Sequence, residues 1–328
     1  MNIYKKLKIK YKHAIYVFRR HIFYDILNGN FSKPAHFIKT VLARKLFDRP
    51  YLAMIETCNF CNLKCPTCTT PQNKINRARE VMTVGDYKKI IDNIKDYISV
   101  VLPWFSNEPF INPDMVEMIK YSHKNNLYTV ISTNAVLLDK EKSEEVMGSG
   151  LDEIILCLDG MSKESYEPFR EGASFDKVME NIKNFCILKK KTGQRKPFIE
   201  MQFILTKLNQ NEVESARNFA LSLGVDRFRV KSFALSEYAY AKDEIKKLSS
   251  RFLPDNEMYS AKIRYEKVGD ALEIKNKKKK CDLVSSNIVV LTDGRVVMCC
   301  YDLNGRYSYG NVKERKLSDF WHSEEVKK

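Results

Sequence analysis

The chain has 328 residues, of which 44% are hydrophobic and 30% are charged, and its formal net charge is +15. This composition predicts a globular protein with a substantial core and excludes a largely disordered chain. Four of the nine cysteines lie between positions 58 and 68, a clustering that argues against a secreted disulfide framework and favours a cytoplasmic protein.

The excess of positive charge admits more than one interpretation. Lysine and arginine outnumber aspartate and glutamate by 56 to 41, which would suit nucleic acid or an anionic membrane. The sequence has no zinc-finger, RNP-type or helix-turn-helix signature, so nucleic acid is not expected as a partner. A solvated, lysine-rich surface is the interpretation that we favour.

Residues 1–49 mix basic side chains with apolar and aromatic ones. Their apolar stretches are too short for a signal peptide or a membrane span. We predict a basic helical extension that packs on the outside of the main domain. A peripheral contact of residues 1–49 with an anionic membrane is the alternative.

A cysteine-rich segment follows the apolar residues 51–55 and contains Cys58, Cys61, Cys65 and Cys68. Zinc sites usually take two close pairs of ligands that are separated by a longer segment. The gaps of two, three and two residues found here are better suited to several thiolates around one compact iron–sulfur cluster. A structural zinc site or closed cluster that uses all four thiolates is the alternative.

Within this segment, Cys61-Asn62-Leu63-Lys64-Cys65-Pro66-Thr67-Cys68 resembles the motif of the radical S-adenosylmethionine (radical SAM) enzymes. The resemblance implies that Cys61, Cys65 and Cys68 hold a [4Fe–4S] cluster, that its open iron binds SAM, and that Cys58 is not a ligand. It also implies an electron donor such as flavodoxin or ferredoxin. Thr67 departs from many relatives, in which an aromatic residue at this position touches adenine.

From residue 51 onwards, apolar runs rich in β-branched and aromatic residues alternate with segments of helical period. Six such units predict an α/β fold with a parallel sheet, an open, partial (β/α)6 barrel over residues 50–234. The radical SAM resemblance implies the same fold. The predicted strands are 51–57, 99–105, 127–133, 153–159, 198–206 and 226–233. The predicted helices are 84–97, 113–125, 139–149, 175–192 and 211–223.

Functional groups are expected where the parallel strands end, because these ends meet at one edge of the sheet. Ser106-Asn107-Glu108-Pro109 follows the second strand and resembles the Gly-Gly-Glu-Pro segment of radical SAM enzymes. The resemblance implies that Asn107 and Glu108 bind the ammonium group of SAM, a role that suits a carboxylate. Asn107 replaces a glycine but tolerates positive φ better than most residues. A simple strand-to-helix turn is the alternative.

Three further residues resemble SAM-binding positions of the family. Asn134 and Asp159 follow the third and fourth strands, and the resemblance implies hydrogen bonds to the ribose or carboxylate of SAM. Arg170 stands where relatives have an arginine that clamps the SAM carboxylate. The alternatives are turn chemistry for Asn134 and Asp159 and a surface position for Arg170. We expect Cys157 to be a core residue and name Gln202 as a further candidate.

Residues 235–280 are charged and weakly periodic, which predicts an exposed linker. The segment that follows, residues 281–328, contains Thr292-Asp293-Gly294 between two apolar runs, a pattern that predicts a β-hairpin.

This C-terminal segment resembles the opening of the SPASM or "twitch" domains of radical SAM enzymes. The resemblance implies an auxiliary [4Fe–4S] cluster with Cys281, Cys299 and Cys300 among its ligands. Relatives have further cysteines downstream, whereas this chain reaches Lys328 without any. We therefore expect a truncated domain whose auxiliary cluster is incompletely ligated, completed from elsewhere or lost. A small hairpin domain with leftover cysteines is the alternative.

The sequence predicts a radical SAM enzyme that reductively cleaves SAM to a 5′-deoxyadenosyl radical and abstracts hydrogen from a peptide, protein or sugar substrate. The alternative is a non-catalytic iron–sulfur or zinc protein, structural or electron-transferring, in which Cys58 is the fourth ligand. A basic RNA- or membrane-binding protein is a third hypothesis, with salt-sensitive binding as its sign.

Overall fold

The computed structural model of the chain describes most of the sequence. The described residues are 22–72, 74–235, 239–268, 271–275, 281 and 286–323. The predicted regions that lie outside them are residues 1–21 of the extension, 236–238, 269–270 and 276–280 of the linker, and 282–285 and 324–328 of the C-terminal domain.

A nine-stranded sheet forms the centre of the structure. Its first six strands are β1 (Leu52–Ile55), β2 (Val100–Leu102), β3 (Tyr128–Thr133), β4 (Glu153–Cys157), β5 (Phe198–Leu205) and β6 (Arg227–Ser232). They run parallel, each beside the next in chain order. The predicted α/β fold with a partial (β/α)6 barrel is thus confirmed, and each predicted strand overlaps an observed one.

Helices connect these strands and flank the sheet. They are α1 (Phe23–Leu27), α2 (Ser32–Phe47), α3 (Val84–Ile94), α4 (Met115–Lys124), α5 (Lys140–Met147), α6 (Lys163–Tyr166), α7 (Phe175–Thr192), α8 (Val213–Ser222) and α9 (Lys242–Phe252). Local sequence sets the ends of α7, because the Ser174 side chain accepts a hydrogen bond from the Lys177 amide and Gly193 ends the helix with a φ of 65°.

Alternation along the strands separates two apolar layers. Ala53 and Ile131 face outwards and belong to the core that the helices cover. Leu52 and Val100 face inwards and pack with Phe37 of α2. The inner apolar layer therefore lies at the amino end of the barrel, which leaves the carboxyl end for polar side chains.

Helices α1 and α2 close the amino end of the barrel through a buried polar network. The Lys33 ammonium lies 2.8 Å from one oxygen of Asp152, and the Lys196 ammonium lies 2.8 Å from the other. Lys196 also pairs with Asp25 at 2.6 Å, and the Tyr128 hydroxyl donates to Asp25 at 2.8 Å. These contacts pair each of the buried charges.

No helix among the described residues is long and apolar enough to span a membrane.

The described part of the predicted linker differs from the expectation of an exposed, irregular segment. It forms α9, a 3-10 helix at Glu257–Lys262, and the antiparallel strands β7 (Tyr265–Val268) and β8 (Ala271–Ile274). Phe252 and Tyr265 pack with Phe169 and Phe233 in one apolar cluster. A few well-placed apolar residues among many charges are enough to fold this segment onto the barrel.

Three C-terminal strands extend the sheet beyond β1. They are β9 (Asn287–Val290), β10 (Arg295–Val297) and β11 (Ser308–Asn311). Strand β9 pairs in parallel with β1, whereas β9–β10 and β10–β11 are antiparallel. The predicted hairpin is therefore confirmed, and Gly294 sits in its turn with a φ of 88° that favours glycine. The hairpin and the barrel share one sheet.

Candidate active site at the carboxyl edge of the sheet

The cysteine loop begins directly after β1 and is tied to two neighbouring loops. Its three predicted ligands differ in exposure: Cys61 is half-buried, Cys65 is buried and Cys68 is exposed. The Lys64 amide donates to the Glu171 carbonyl at 2.7 Å, and the Thr70 hydroxyl donates to the Ser106 carbonyl at 2.7 Å. These bonds hold the loop between the end of β2 and the segment that contains Arg170.

Cys58 differs from the other three cysteines of the segment. Its side chain is completely buried, and its sulfur lies 3.5 Å from the Glu108 carbonyl and 3.2 Å from Nδ2 of Asn107. Burial raises the pKa of the Cys58 thiol to about 11. Burial also raises the pKa of the Cys61 thiol, to about 12, so the hydrogen bonds of Cys58 to the Asn107 turn, and not its pKa, distinguish it from the predicted ligands.

Asn107 uses its side-chain amide inside the protein. Besides the contact with Cys58, Nδ2 lies 3.3 Å from the Thr57 hydroxyl, and Oδ1 accepts a hydrogen bond from the Phe105 amide at 2.9 Å. The amide therefore fastens the turn after β2 to the end of β1. Because Glu108 is the next residue, this turn also fixes the position of Glu108.

Glu108 is a buried carboxyl group, with 2% of its surface exposed. It accepts hydrogen bonds from the Thr133 hydroxyl at 2.7 Å, the Asn134 amide at 2.8 Å and the Phe110 amide at 3.3 Å. Burial raises its pKa to about 7, although these bonds and Arg170 act in the opposite direction. A cation that binds here would stabilise the carboxylate form.

Asn134 connects Glu108 with the cysteine loop. Its backbone amide binds Glu108, while its Nδ2 lies 2.9 Å from Oδ1 of Asn62 and 3.8 Å from the Cys61 sulfur. Its own Oδ1 accepts a hydrogen bond from the Val136 amide at 3.0 Å. The end of β3 is thus in contact with the first cysteine of the predicted cluster motif.

Asp159 and Arg170 form a second connection to the loop. Asp159 is completely buried, accepts a hydrogen bond from Nε of Arg170 at 2.6 Å and also contacts Nη2 of that residue. Its other oxygen accepts from the Ile204 amide. Nη1 of Arg170 lies 3.9 Å from the Cys65 sulfur. Asp159 therefore orients the Arg170 guanidinium beside the Cys65 sulfur.

The predicted site residues thus meet at one edge of the sheet, as parallel strands require. Glu108 binds the Asn134 amide, and the Asn134 side chain contacts Cys61. Asp159 binds Arg170, which contacts Cys65. The side chains of Cys157 and Gln202 lie beside these residues. They face each other on the inner wall of the barrel, where the Cys157 sulfur lies 3.9 Å from Nε2 of Gln202.

A buried ion pair between Glu56 and Arg77 was not predicted from the sequence. Both oxygens of the Glu56 carboxylate lie 2.7 Å from Nη2 of Arg77. The Thr292 hydroxyl of the C-terminal hairpin also donates to Glu56 at 2.8 Å. The one available signal was a charged residue directly after the apolar strand 51–55, where an unpaired carboxylate would be costly to bury.

The donor set fits an iron–sulfur cluster. Thiolates are the usual cluster ligands, and two of the three sulfurs of the motif lie beside a polar donor, Cys61 beside the Asn134 amide and Cys65 beside the Arg170 guanidinium. Among the described residues, no three His, Cys, Asp or Glu side chains converge closely enough to hold a single metal ion. A [4Fe–4S] cluster separates its cysteine sulfurs more widely than one ion does, because the cluster core lies between them.

The three predicted auxiliary cysteines are neighbours. Cys281 and Cys299 are exposed and Cys300 is half-buried. Burial raises the pKa of the Cys300 thiol, and the nearby Cys299 and Cys281 raise it further. Cys300 packs against the buried cluster of Val289, Leu291 and Val297, against which Phe105 also packs.

Comparison with known proteins agrees with this geometry. The model of the radical SAM superfamily matches residues 55–216, and that of SPASM, an iron–sulfur cluster-binding domain, matches residues 281–328. The chain is 26% identical over 290 residues to the tungsten-containing aldehyde ferredoxin oxidoreductase cofactor-modifying protein of Pyrococcus furiosus, a match that covers 82% of this chain and 80% of that protein.

Two further similarities are informative. PqqA peptide cyclase of Bradyrhizobium diazoefficiens is 27% identical over 117 residues, which are 36% of this chain and 30% of that protein. The crystal structure of Streptococcus suis SuiB bound to precursor peptide SuiA has the same fold, with a TM-score of 0.62, 16% identity, and coverage of 96% of this chain and 79% of that one. The chain belongs to the radical SAM superfamily and is an enzyme with a C-terminal SPASM domain, with a [4Fe–4S] cluster and SAM as its cofactors.

Proposed function

We propose that Cys61, Cys65 and Cys68 hold the [4Fe–4S] cluster at which this enzyme cleaves SAM. The observation that carries the proposal is the contact of two polar groups with two of these cysteines. Nδ2 of Asn134 lies 3.8 Å from the Cys61 sulfur, and Nη1 of Arg170 lies 3.9 Å from the Cys65 sulfur. A hydrogen-bond donor and a cation stabilise the negative charge that thiolate ligands carry.

In this proposal, SAM binds between Glu108 and Arg170. The Glu108 carboxylate receives the ammonium group of SAM, and the planar guanidinium of Arg170 receives its carboxylate. Asn134 offers its side-chain amide to the same ligand. Asp159 acts by holding Arg170, and Asn107 acts by holding the turn that carries Glu108.

The chemistry divides between the cofactors and the chain. A bound, reduced cluster supplies the electron that splits SAM into methionine and a 5′-deoxyadenosyl radical, which abstracts hydrogen from the substrate. The residues described above bind and orient SAM, and the burial of Glu108 and Asp159 keeps water away from the two charged contacts.

For the substrate, we propose a peptide, within the predicted range of peptides, proteins and sugars. The support is the similarity to PqqA peptide cyclase and the fold shared with a peptide-bound enzyme. The second candidate is a substrate of another class, because the longer of the two sequence matches is to a protein named for modifying the cofactor of an oxidoreductase. Deuterium transfer into 5′-deoxyadenosine from deuterated substrates of each class would decide between them.

The cluster assignment is tested by single-cysteine variants of the full chain, reconstituted with iron and sulfide without oxygen. We expect Cys65→Ala to lose the electron paramagnetic resonance signal that changes when SAM is added. Cys58→Ala is the matched control and should keep that signal, because its buried thiol is already hydrogen-bonded. Loss of the signal in a folded Cys58→Ala variant would instead support the four-cysteine, non-catalytic alternative.

We further propose the peripheral membrane contact of the N-terminal extension. The outer face of α2 and the residue before it expose four large apolar side chains, with exposures of 63% for Phe31, 43% for Ile38, 53% for Leu42 and 70% for Leu46. An apolar stripe on a chain of net charge +15 complements an anionic bilayer.

The membrane proposal predicts that the full chain floats with vesicles that contain phosphatidylserine and that Leu42→Ser/Leu46→Ser abolishes flotation. A double change of exposed apolar residues on two other helices, Ile187→Ser on α7 and Leu221→Ser on α8, is the control and should still float. Equal flotation of the wild type and both variants, or none at all, would contradict a contact through this stripe.

A further inference from the structure

The inner wall of the barrel changes character from one side to the other. On β1 to β3 the inward side chains are largely apolar, as Leu52, Val100 and Val130 show. On β5 and β6 most of them are polar or charged, with Ile204 as an apolar exception. The inward residues of these two strands include Glu200, Gln202, Arg227, Arg229 and Lys231.

The charges on this polar wall do not balance. Glu200 is completely buried and pairs with both Arg227 and Arg229, with Nε of Arg229 3.1 Å from its Oε1. Three cations of β6 therefore face two carboxylates, Glu200 and the inward Glu153 of β4, each of which is buried. Lys231 has neither a hydrogen bond nor an ion pair with any described residue, and its side chain remains accessible to solvent.

The wall adjoins the proposed SAM site. The Cys157 sulfur lies 3.5 Å from the Ser132 hydroxyl and 3.9 Å from Nε2 of Gln202. Burial raises the pKa of the Cys157 thiol, and it lies close enough to Arg170 and Glu108 for their charges to influence it. Lys231 is near the same thiol, which in turn influences the pKa of Lys231.

The surroundings of Lys231 disfavour an ammonium ion that has no partner. Partial burial and the neighbouring Arg229 both lower its pKa, because neither compensates the positive charge. Arg229 is committed to Glu200, so the chain itself supplies no anion to Lys231 among its described residues. A bound anion would remove this penalty and gain a charge-assisted hydrogen bond.

We propose that Lys231 binds an anionic group of the substrate, a carboxylate or a phosphate, inside the barrel beside the SAM site. The proposal rests on the proposed function, since it places the substrate next to the residues that bind SAM. It narrows the substrate class to molecules that carry such a group, and it makes Lys231 a specificity-determining residue. Gln202 and Ser132 offer neutral hydrogen-bonding groups along the same wall.

The test uses the reactivity of lysine amines towards acetic anhydride in the reconstituted full chain. Labelling of each lysine is measured by mass spectrometry after brief exposure, in chloride, inorganic phosphate or glutarate at equal ionic strength. Lys246 on α9, exposed and without a partner among the described residues, is the internal control in the same digest. Phosphate and glutarate distinguish a phosphate-bearing from a carboxylate-bearing substrate.

In a titration of each anion, we expect at least one of the two to reduce labelling of Lys231 saturably, about tenfold when its concentration is about ten times its dissociation constant, while Lys246 is unaffected, since only free Lys231 reacts. Labelling of Lys231 that neither anion reduces, or reduces only as much as that of Lys246, would overturn the proposal.

A variant separates this proposal from the proposed function. Lys231→Gln should form 5′-deoxyadenosine from SAM, without substrate, at a rate within about twofold of the wild type, because Lys231 does not touch the proposed SAM site. Absence of 5′-deoxyadenosine in the wild type would refute the proposed function, whereas the labelling result stands independently of it. Loss of SAM cleavage in Lys231→Gln alone would refute a role confined to the substrate.

Discussion

The buried carboxylate of Glu56 binds the guanidinium of Arg77, with both oxygens 2.7 Å from Nη2. Arg77 also donates from Nε to the Leu303 carbonyl at 2.9 Å, and Glu56 accepts from the Thr292 hydroxyl. One ion pair thus joins the end of β1, the segment after the cysteine loop and the C-terminal hairpin. The cluster motif and the auxiliary cysteines share this support.

Removing the cation should destabilise the fold. Because Glu56 is completely buried, Arg77→Met would leave its charge with only the hydrogen bonds of Thr292 and no cation, and we expect the free energy of unfolding to fall by about 3 kcal/mol. Urea denaturation of the cluster-free chain measures this. The control is Lys95→Met, which breaks an exposed pair with Asp92 and should change stability by less than about 1 kcal/mol. Equal losses in both variants would contradict the account.

The binding of SAM should depend on pH near neutrality. The Glu108 carboxyl has a pKa of about 7 in the protein without ligand, and only its ionised form pairs with the ammonium of SAM. We therefore expect SAM to bind more tightly about one pH unit above that value than about one unit below it. In Glu108→Gln, the affinity should fall about tenfold or more and lose this pH dependence.

The raised pKa of Glu108 also predicts how the stability of the protein depends on pH. The pKa of Glu108 in the folded protein is raised above the ordinary value of 4.5, so its protonated carboxyl contributes to folding stability. This stability is fully present below pH 4.5 and is lost as the pH rises towards about 7. Protein without SAM should accordingly gain stability in Glu108→Gln at neutral pH, measured by urea denaturation.

For the binding prediction, a wild type whose SAM affinity does not change between about pH 6 and about pH 8 would show that Glu108 does not receive the ammonium.

Asp159 is expected to act on SAM through Arg170. In Asp159→Asn the guanidinium loses its charged partner, so the SAM concentration needed to alter the cluster's electron paramagnetic resonance spectrum should rise about tenfold. The spectrum without SAM should remain, which distinguishes misplacement of Arg170 from loss of the cluster. Lys163→Gln removes a surface pair with Asp176 and should leave the SAM dependence unchanged.

The auxiliary cysteines predict a second iron site. If Cys281, Cys299 and Cys300 bind a cluster, the triple variant Cys61→Ala/Cys65→Ala/Cys68→Ala should retain iron and sulfide after reconstitution. Further replacement of Cys299 and Cys300 by alanine should remove them. Iron-free protein already in the first triple variant would show that the three neighbouring thiols do not hold a cluster.

The barrel was predictable because its signals are local. Apolar runs and helical periodicity placed the six strands, and Ser174 and Gly193 delimit α7 at the predicted residues 175–192. The hairpin at Gly294 followed from turn chemistry in the same way. The gathering of Glu108 and the cluster motif at one edge followed from parallel topology.

What could not be predicted depends on contacts between distant parts of the chain. The parallel pairing of β9 with β1, the closure of the barrel by α2, and the partners of Glu56 are set by three-dimensional packing, which leaves no local pattern. The same holds for Lys231. That it has no anionic partner among the described residues follows only from the structure, in which Arg227 and Arg229 both pair with Glu200. The sequence around a single residue on a strand does not indicate which distant residue that side chain contacts.

The central claim is that the chain cleaves SAM at a cluster held by Cys61, Cys65 and Cys68. The most direct test is an anaerobic assay of reconstituted, dithionite-reduced protein that follows 5′-deoxyadenosine by chromatography and mass spectrometry. We expect product in the wild type and in Cys58→Ala, and none in Cys61→Ala/Cys65→Ala/Cys68→Ala. Wild-type protein with a full cluster that neither binds SAM nor forms product would contradict it.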